Sequence, residues 1–123
     1  MSDWIRNQRP SANADHLRPL QLAWLGDAVW ELHQRLRHCH QPGRSDDLHR
    51  SVVSEVKASS QAKALSRLEP FLLDIEKDLV RRGRNKAGRG PRNCDPAIYA
   101  RATGFETMVG WLFLKNPVRL AHL

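Results

Sequence analysis

Two carboxylates in this 123-residue chain stand out by their neighbours. Asp27 lies within Leu25-Gly26-Asp27-Ala28-Val29, and Glu106 within Thr103-Gly104-Phe105-Glu106-Thr107-Met108-Val109-Gly110. At about 100° per residue, Asp27 points away from the apolar stripe of its helix, yet Trp24 and Trp30 flank it at about 60° on either side. Large aromatics around a carboxylate imply that this second face is covered too, by another helix or another subunit. Gly26 costs about 1 kcal/mol of helix propensity against alanine, a loss easiest to understand where another backbone or a ligand comes close. Glu106 sits at the edge of its own apolar stripe, near Val109 and Phe113, and Gly104 and Gly110 again permit close helix approach. Two acids on neighbouring helices could hold a hard divalent cation such as Mg2+, which takes a few carboxylates together with waters and phosphate oxygens. Such an ion activates water and neutralises charge on a phosphodiester. Each acid also has an ordinary structural reading at the margin of a core, and residue type alone favours it.

A phosphodiester needs a grip, and the charge distribution offers one. The chain carries 20 Lys and Arg against 13 Asp and Glu, a net charge of +7. Six of those bases, Arg81, Arg82, Arg84, Lys86, Arg89 and Arg92, fall in one stretch without an acid, and the remainder of the chain is close to neutral. A concentrated basic segment on a neutral body suggests a polyanion contact. A solvated loop that aids solubility is the alternative.

The elements that must position these residues read as helices. Leu22, Leu25, Val29, Leu32 and Leu36 follow Pro19 at helical spacing and predict an amphipathic helix over about 19–38, ended by Gln41-Pro42-Gly43. Ser45, with Asp46 and Asp47 in the first turn, is placed to cap a second helix. Leu48, Val52, Val56, Leu65 and Leu68 line that helix, and Glu69-Pro70 breaks it. A third helix is expected over about Phe71–Arg82 with Leu72, Ile75 and Leu79 inward. Asp74 and Glu76 then suit its start, and Arg81 and Arg82 its end. Gly83–Asn93, with three glycines and a proline, reads as an irregular basic loop. A fourth helix is expected over about 96–115, stopped by Asn116-Pro117, with a short last turn after it. Nothing alternates with period two for long enough to make a strand, so the expected class is all-α. Residues 1–16 read as a loose, flexible N-terminal arm that Trp4 could pin, and 17–123 as one domain.

Other classes are set aside on composition. No apolar run approaches the roughly 18 residues of a membrane span. The N-terminus lacks a secretory signal, so a cytoplasmic protein is expected. Cys39 and Cys94 are too few for a disulfide framework. His33 and His38-Cys39-His40 lack the spacing of a zinc site and read as a helix end. Cys94 has no base to make it a nucleophile and reads as incidental. Lys57, Lys63 and Arg67 read as the solvated side of the second helix.

At this point the chain resembles the ribonuclease III family. Leu25-Gly26-Asp27-Ala28-Val29 is similar to the core of its signature, and Thr103–Leu114 to its second catalytic helix. Leu22–Glu31, Arg81-Arg82-Gly83-Arg84-Asn85 and Tyr99–Glu106 together resemble Mini-ribonuclease III, the short branch without a C-terminal double-stranded-RNA-binding domain. The resemblance implies the helical fold of the ribonuclease III catalytic domain. It also implies Mg2+-dependent hydrolysis of double-stranded RNA at Asp27 and Glu106, both catalytic and metal-binding, leaving a 5′-phosphate and a 3′-hydroxyl. It further implies a homodimer with one site per strand, and maturation of 23S ribosomal RNA precursor. The longer enzymes have further acids where Ala23 and Thr103 stand here, and the short branch shares this reduced set. Glu31, one turn after Asp27, could add a supporting contact. Without the extra domain, the RNA grip is expected from Arg81, Arg82, Arg84, Lys86, Arg89 and Arg92, with Arg84, Lys86 and Arg89 foremost. Trp24, Trp30 and Trp111 are the expected buried anchors between subunits. Two rivals remain: a non-catalytic RNA-binding or ribosome-associated module on the same fold, and a helical DNA-binding domain.

Overall fold

The computed structural model describes residues 13–40 and 54–123, with backbone only at 54–56. Five α-helices occupy these residues: α1 Pro19–His38, α2 Ser54–Leu68, α3 Asp74–Lys86, α4 Pro96–Lys115 and the short α5 Pro117–His122. No strand occurs among the described residues, so the all-α class holds. Trp4, and the cap and first turn expected at Ser45–Asp47, lie outside them.

Helix ends follow local chemistry. Pro19 opens α1, where its missing N–H is no loss, and Gln21 Oε1 accepts from the Arg18 N–H at 2.8 Å. Asp95 caps α4 by accepting from Ala97 N at 2.8 Å and Ile98 N at 3.3 Å. Asn116 ends α4 and caps α5 by accepting from Arg119 N at 3.1 Å.

The centre is α4, buried along Ala102–Phe105 and Thr107–Gly110 and again at Leu112. A helix apolar on nearly every side must be covered on every side. Accordingly α1, α2 and α3 all pack against α4. Leu22, Leu65, Leu72, Leu79, Val80, Phe105, Met108, Val109 and Leu112 form the core. Truncating a residue such as Met108 or Leu65 to alanine costs about 2–5 kcal/mol.

Several expectations need correction. The third helix starts at Asp74 rather than Phe71 and runs on to Lys86, so Gly83 is helical and the irregular segment begins only after it. Gly83 stays in the helix because α4 lies against it; a Cβ there would strike the Thr107 side chain. Ile75 turns outward, 48% exposed, and Glu76 turns inward instead, 1% exposed. That buried carboxylate is matched by Arg119 of α5, whose Nε and Nη2 donate to it at 2.8 and 2.9 Å. Arg119, together with the Leu73 N–H, holds the Glu76 carboxyl below its ordinary range against the opposing effect of burial. Leu32 and Leu36 are exposed rather than inward. With Leu20, Trp24 and Ala28 they form an outward apolar ridge, spaced by four residues along α1.

Part of the expected arm is tied down. Ala14–His16 forms a 3-10 turn with Ala14 buried, and Asp15 accepts from Trp111 Nε1 at 3.3 Å and Lys115 Nζ at 3.2 Å on α4.

Candidate active site

The helices α1 and α4 cross where neither carries a side chain. A Cβ on Gly26 would strike the carbonyl oxygen of Glu106, and one on Gly110 would strike the carbonyl oxygen of Leu22. The close approach anticipated at both glycines is therefore backbone on backbone. It brings Asp27, the next residue on α1, close to Glu106 on α4. The third wall is α2, whose Lys57 and Gln61 stand one turn apart. Gln61, 2% exposed, donates from Nε2 to Glu106 Oε2 at 3.1 Å. Lys57 Nζ donates to Glu31 Oε1 at 3.1 Å and lies against Asp27 Oδ1 as an ion pair.

One oxygen in this arrangement is balanced by charge. Asp27 Oδ1 is buried, and the Lys57 ammonium lies against it as an ion pair. Glu106 is unsettled. Burial pushes its carboxyl up to about 8, the Gln61 bond opposes the rise, and the Asp27 charge adds to it. Glu106 thus favours its protonated form at neutral pH. Burial works against the charge on Lys57, but Asp27 and Glu31 outweigh it and hold the ammonium above its ordinary range.

A cation between the two carboxylates would take over the balancing charge on Asp27 and offset the burial and repulsion that favour a proton on Glu106. Among the described residues no group of three or more His, Cys, Asp or Glu is arranged to enclose a metal. Two carboxylate oxygen donors suit a hard divalent ion that leaves most of its positions to water and phosphate oxygens.

Comparison with known proteins agrees in both sequence and fold. Residues 20–117 match the family model of the ribonuclease III domain. A Mini-ribonuclease 3 of Synechococcus sp. is 47% identical over 99% of this chain and 90% of its own length. Another, of Gloeobacter violaceus, is 52% identical over 80% of this chain and 73% of its own. A crystal structure of a Fusobacterium nucleatum protein superposes with a TM-score of 0.75 at 25% identity, covering 90% of this chain and 96% of the other. The chain belongs to the ribonuclease III family, in its Mini-ribonuclease 3 branch. It is an endoribonuclease.

The basic residues of this ribonuclease divide into two groups. Arg81, Arg82, Arg84 and Lys86 are exposed on the last turns of α3, and Arg89 and Arg92 on the loop that follows. Arg81 already pairs with Asp78 at 2.5 Å. Arg89 reaches back into its own loop, donating from Nη1 to Cys94 O at 3.1 Å and Pro91 O at 3.3 Å. Arg82, Arg84, Lys86 and Arg92 make no ion pair among the described residues. Across α4, Gly104 faces α3 while Glu106, about 200° further round, faces α1 and α2. The basic edge and the carboxylates thus lie on opposite sides of the central helix. The loop nevertheless returns toward the site. Buried Cys94 packs with Ala58, next to Lys57, and with Ala102, one turn before Glu106.

Sequence reasoning missed Gln61 and read Lys57 as solvated. The signal was present, since Gln61 falls in register between Ala58 and Leu65, both buried positions of α2. A lone amide in a core register asks for a polar partner. Of the three tryptophans, Trp30 is edge-on to Phe105 at 5.2 Å and Trp111 serves Asp15, so both have partners within the chain. Trp24 is 83% exposed.

Proposed function

We propose that this endoribonuclease hydrolyses double-stranded RNA, with Asp27 and Glu106 holding Mg2+ at the scissile phosphodiester. The observation that carries this reading is the pair of carboxylates, Asp27 and Glu106, brought together at the Gly26–Gly110 crossing with Lys57 on one and Gln61 on the other. When bound, the ion would supply charge neutralisation at the phosphate and a water activated for attack. The chain's own part is to fix the two carboxylates through the Gly26–Gly110 crossing and to orient Glu106 through Gln61. Arg82, Arg84, Lys86 and Arg92 hold phosphates of the duplex, whose A-form backbone offers shape and charge rather than base edges. Arg81 contributes beside its Asp78 partner, and Arg89 shapes the loop.

We further propose a homodimer formed on the outward ridge of α1, Leu20, Trp24, Ala28, Leu32 and Leu36, an apolar row that water does not favour. Two copies would present one site to each strand. Membership of the Mini-ribonuclease 3 branch supports precursor 23S ribosomal RNA as the cellular substrate. No described helix is long and apolar enough to cross a membrane, and we place the reaction in the cytoplasm.

The decisive experiment is cleavage of a labelled RNA duplex with Mg2+ by the native chain, Asp27→Asn and Glu106→Gln. Cutting is expected from the native protein only, with duplex binding kept in both variants. Binding by the native chain without cutting, across several duplexes and metals, would favour a non-catalytic RNA-binding module. Mapping the 23S ends in cells lacking the protein tests the substrate: mature ends there would refute it.

A further inference from the structure

Lys57 stands against the buried Oδ1 of Asp27 as its ion-pair partner. Its side chain is 18% exposed, so the ammonium is confined rather than sampling solvent. Two acceptors flank it on the same helix, Asp27 and Glu31, one turn apart. Glu31 Oε1 accepts a hydrogen bond from the ammonium at 3.1 Å, and Asp27 Oδ1 pairs with it by charge. The ammonium therefore already has a well-formed place to stay if Asp27 is taken from it.

We propose that Lys57 is the resident counter-ion of the carboxylate pair and is exchanged for the divalent cation. In the cation-free protein its ammonium neutralises Asp27, and on cation binding it withdraws to Glu31 at the rim of the site. The proposal rests on the reading of Asp27 and Glu106 as cation ligands. Lys57 acts through Asp27 and is a positioning residue. The alternative is an ion pair that merely ties α2 to α1, and the two differ in sign. A structural tie, once removed, loosens the site and weakens cation binding. A competing ammonium, once removed, strengthens it.

The test is Mg2+ and Mn2+ binding without RNA, by titration calorimetry on the full chain. Lys57→Met keeps the stem and removes the charge. It is expected to bind Mn2+ about tenfold more tightly than native, the scale on which one close like charge acts. Lys57→Arg should stay near native. Glu31→Gln should alter affinity in the native background and much less in the Lys57→Met background, because its effect runs through the ammonium. The native protein supplies a readout that no variant's folding can spoil: the 15N resonance of the Lys57 ammonium should move as Mg2+ saturates, and stay fixed in Asp27→Asn. Unchanged or weaker binding by a folded Lys57→Met, or a Lys57 resonance indifferent to saturating Mg2+, would overturn the exchange. A native chain that binds no divalent cation, or binds it equally well as Asp27→Asn, would instead overturn the cation reading, and the exchange with it.

Discussion

The carboxylate site and the basic edge sit on opposite sides of α4 and are built by opposite rules. Asp27 and Glu106 are fixed by a backbone-on-backbone crossing, with a buried amide on one acid and an ammonium on the other. Arg82, Arg84, Lys86 and Arg92 are exposed, on a helix end and a loop. Under the proposed function, the difference follows from what each would recognise. Bond cleavage depends on placement to within a fraction of an ångström, whereas a polyphosphate backbone is gripped by charge at many tolerable positions. Stability and function are therefore coupled on one side of α4 and separable on the other.

The sharpest way to break that comparison is one methyl group on each side. Gly26→Ala drives a Cβ into the Glu106 carbonyl, with no flexible side chain to yield. It is expected to cost about 3 kcal/mol, the upper range for overpacking, and to abolish cleavage even under conditions where the variant is folded. Gly88→Ala, at φ +72° with open space around it, meets only backbone strain. It should cost roughly 1–2 kcal/mol and leave cleavage nearly intact. Urea denaturation with duplex cleavage checks both; an active, stable Gly26→Ala would show that the crossing is not what sets the site.

The sequence made these two regions legible to different depths. Asp27, Gly26, Glu106 and Gly110 could be found because helical spacing placed two acids beside glycines. The end of α4 at Asn116-Pro117 was equally plain. The end of α3 was not, because Gly83 reads as a breaker until its neighbour Gly104 is known. Glu76 and Ile75 exchanged faces because Arg119, 43 residues away, supplies a partner that local periodicity does not reveal. The outward turn of Leu32 and Leu36 was hidden likewise: an apolar row is the same in sequence whether it faces a core or an unfilled surface. Lys57 and Gln61 were passed over since their partners lie on other helices.

Titration separates the regions next. Folding raises the Glu106 carboxyl from 4.5 to about 8, so its contribution to stability is fully present below about 4.5 and is lost as pH rises through 8. Glu76 runs the other way. Its folded value is lowered, so its contribution is present above about 4.5 and disappears on acidification. In chelator, native protein should lose thermal stability relative to Glu106→Gln between pH 5 and pH 8.5. Mg2+ binding at pH 7 should release a proton, seen by calorimetry in buffers of different ionisation enthalpy. Parallel melting curves for native and Glu106→Gln over that range would contradict the buried, proton-holding Glu106. The arginines of the basic edge should leave these curves unmoved.

The smallest effects distinguish charges within the basic edge itself. Arg84→Ala or Lys86→Ala should weaken duplex binding roughly threefold to tenfold at low salt and lower the salt slope by about one. Arg89 should behave otherwise, because its Nη1 faces the carbonyls of Pro91 and Cys94 and helps shape the loop in which Gly90 rests on Tyr99. Arg89→Ala is expected to weaken binding only about twofold and to leave the salt slope within a few tenths of native, since no phosphate contact is lost. Arg89→Lys decides between charge and shape: it keeps the positive charge but not the planar fork that reaches two carbonyls. If Arg89 shapes the loop, the lysine variant falls with alanine in an anisotropy titration. If it binds phosphate directly, the lysine variant stays with native, and the basic edge is then a field of charge without a built loop.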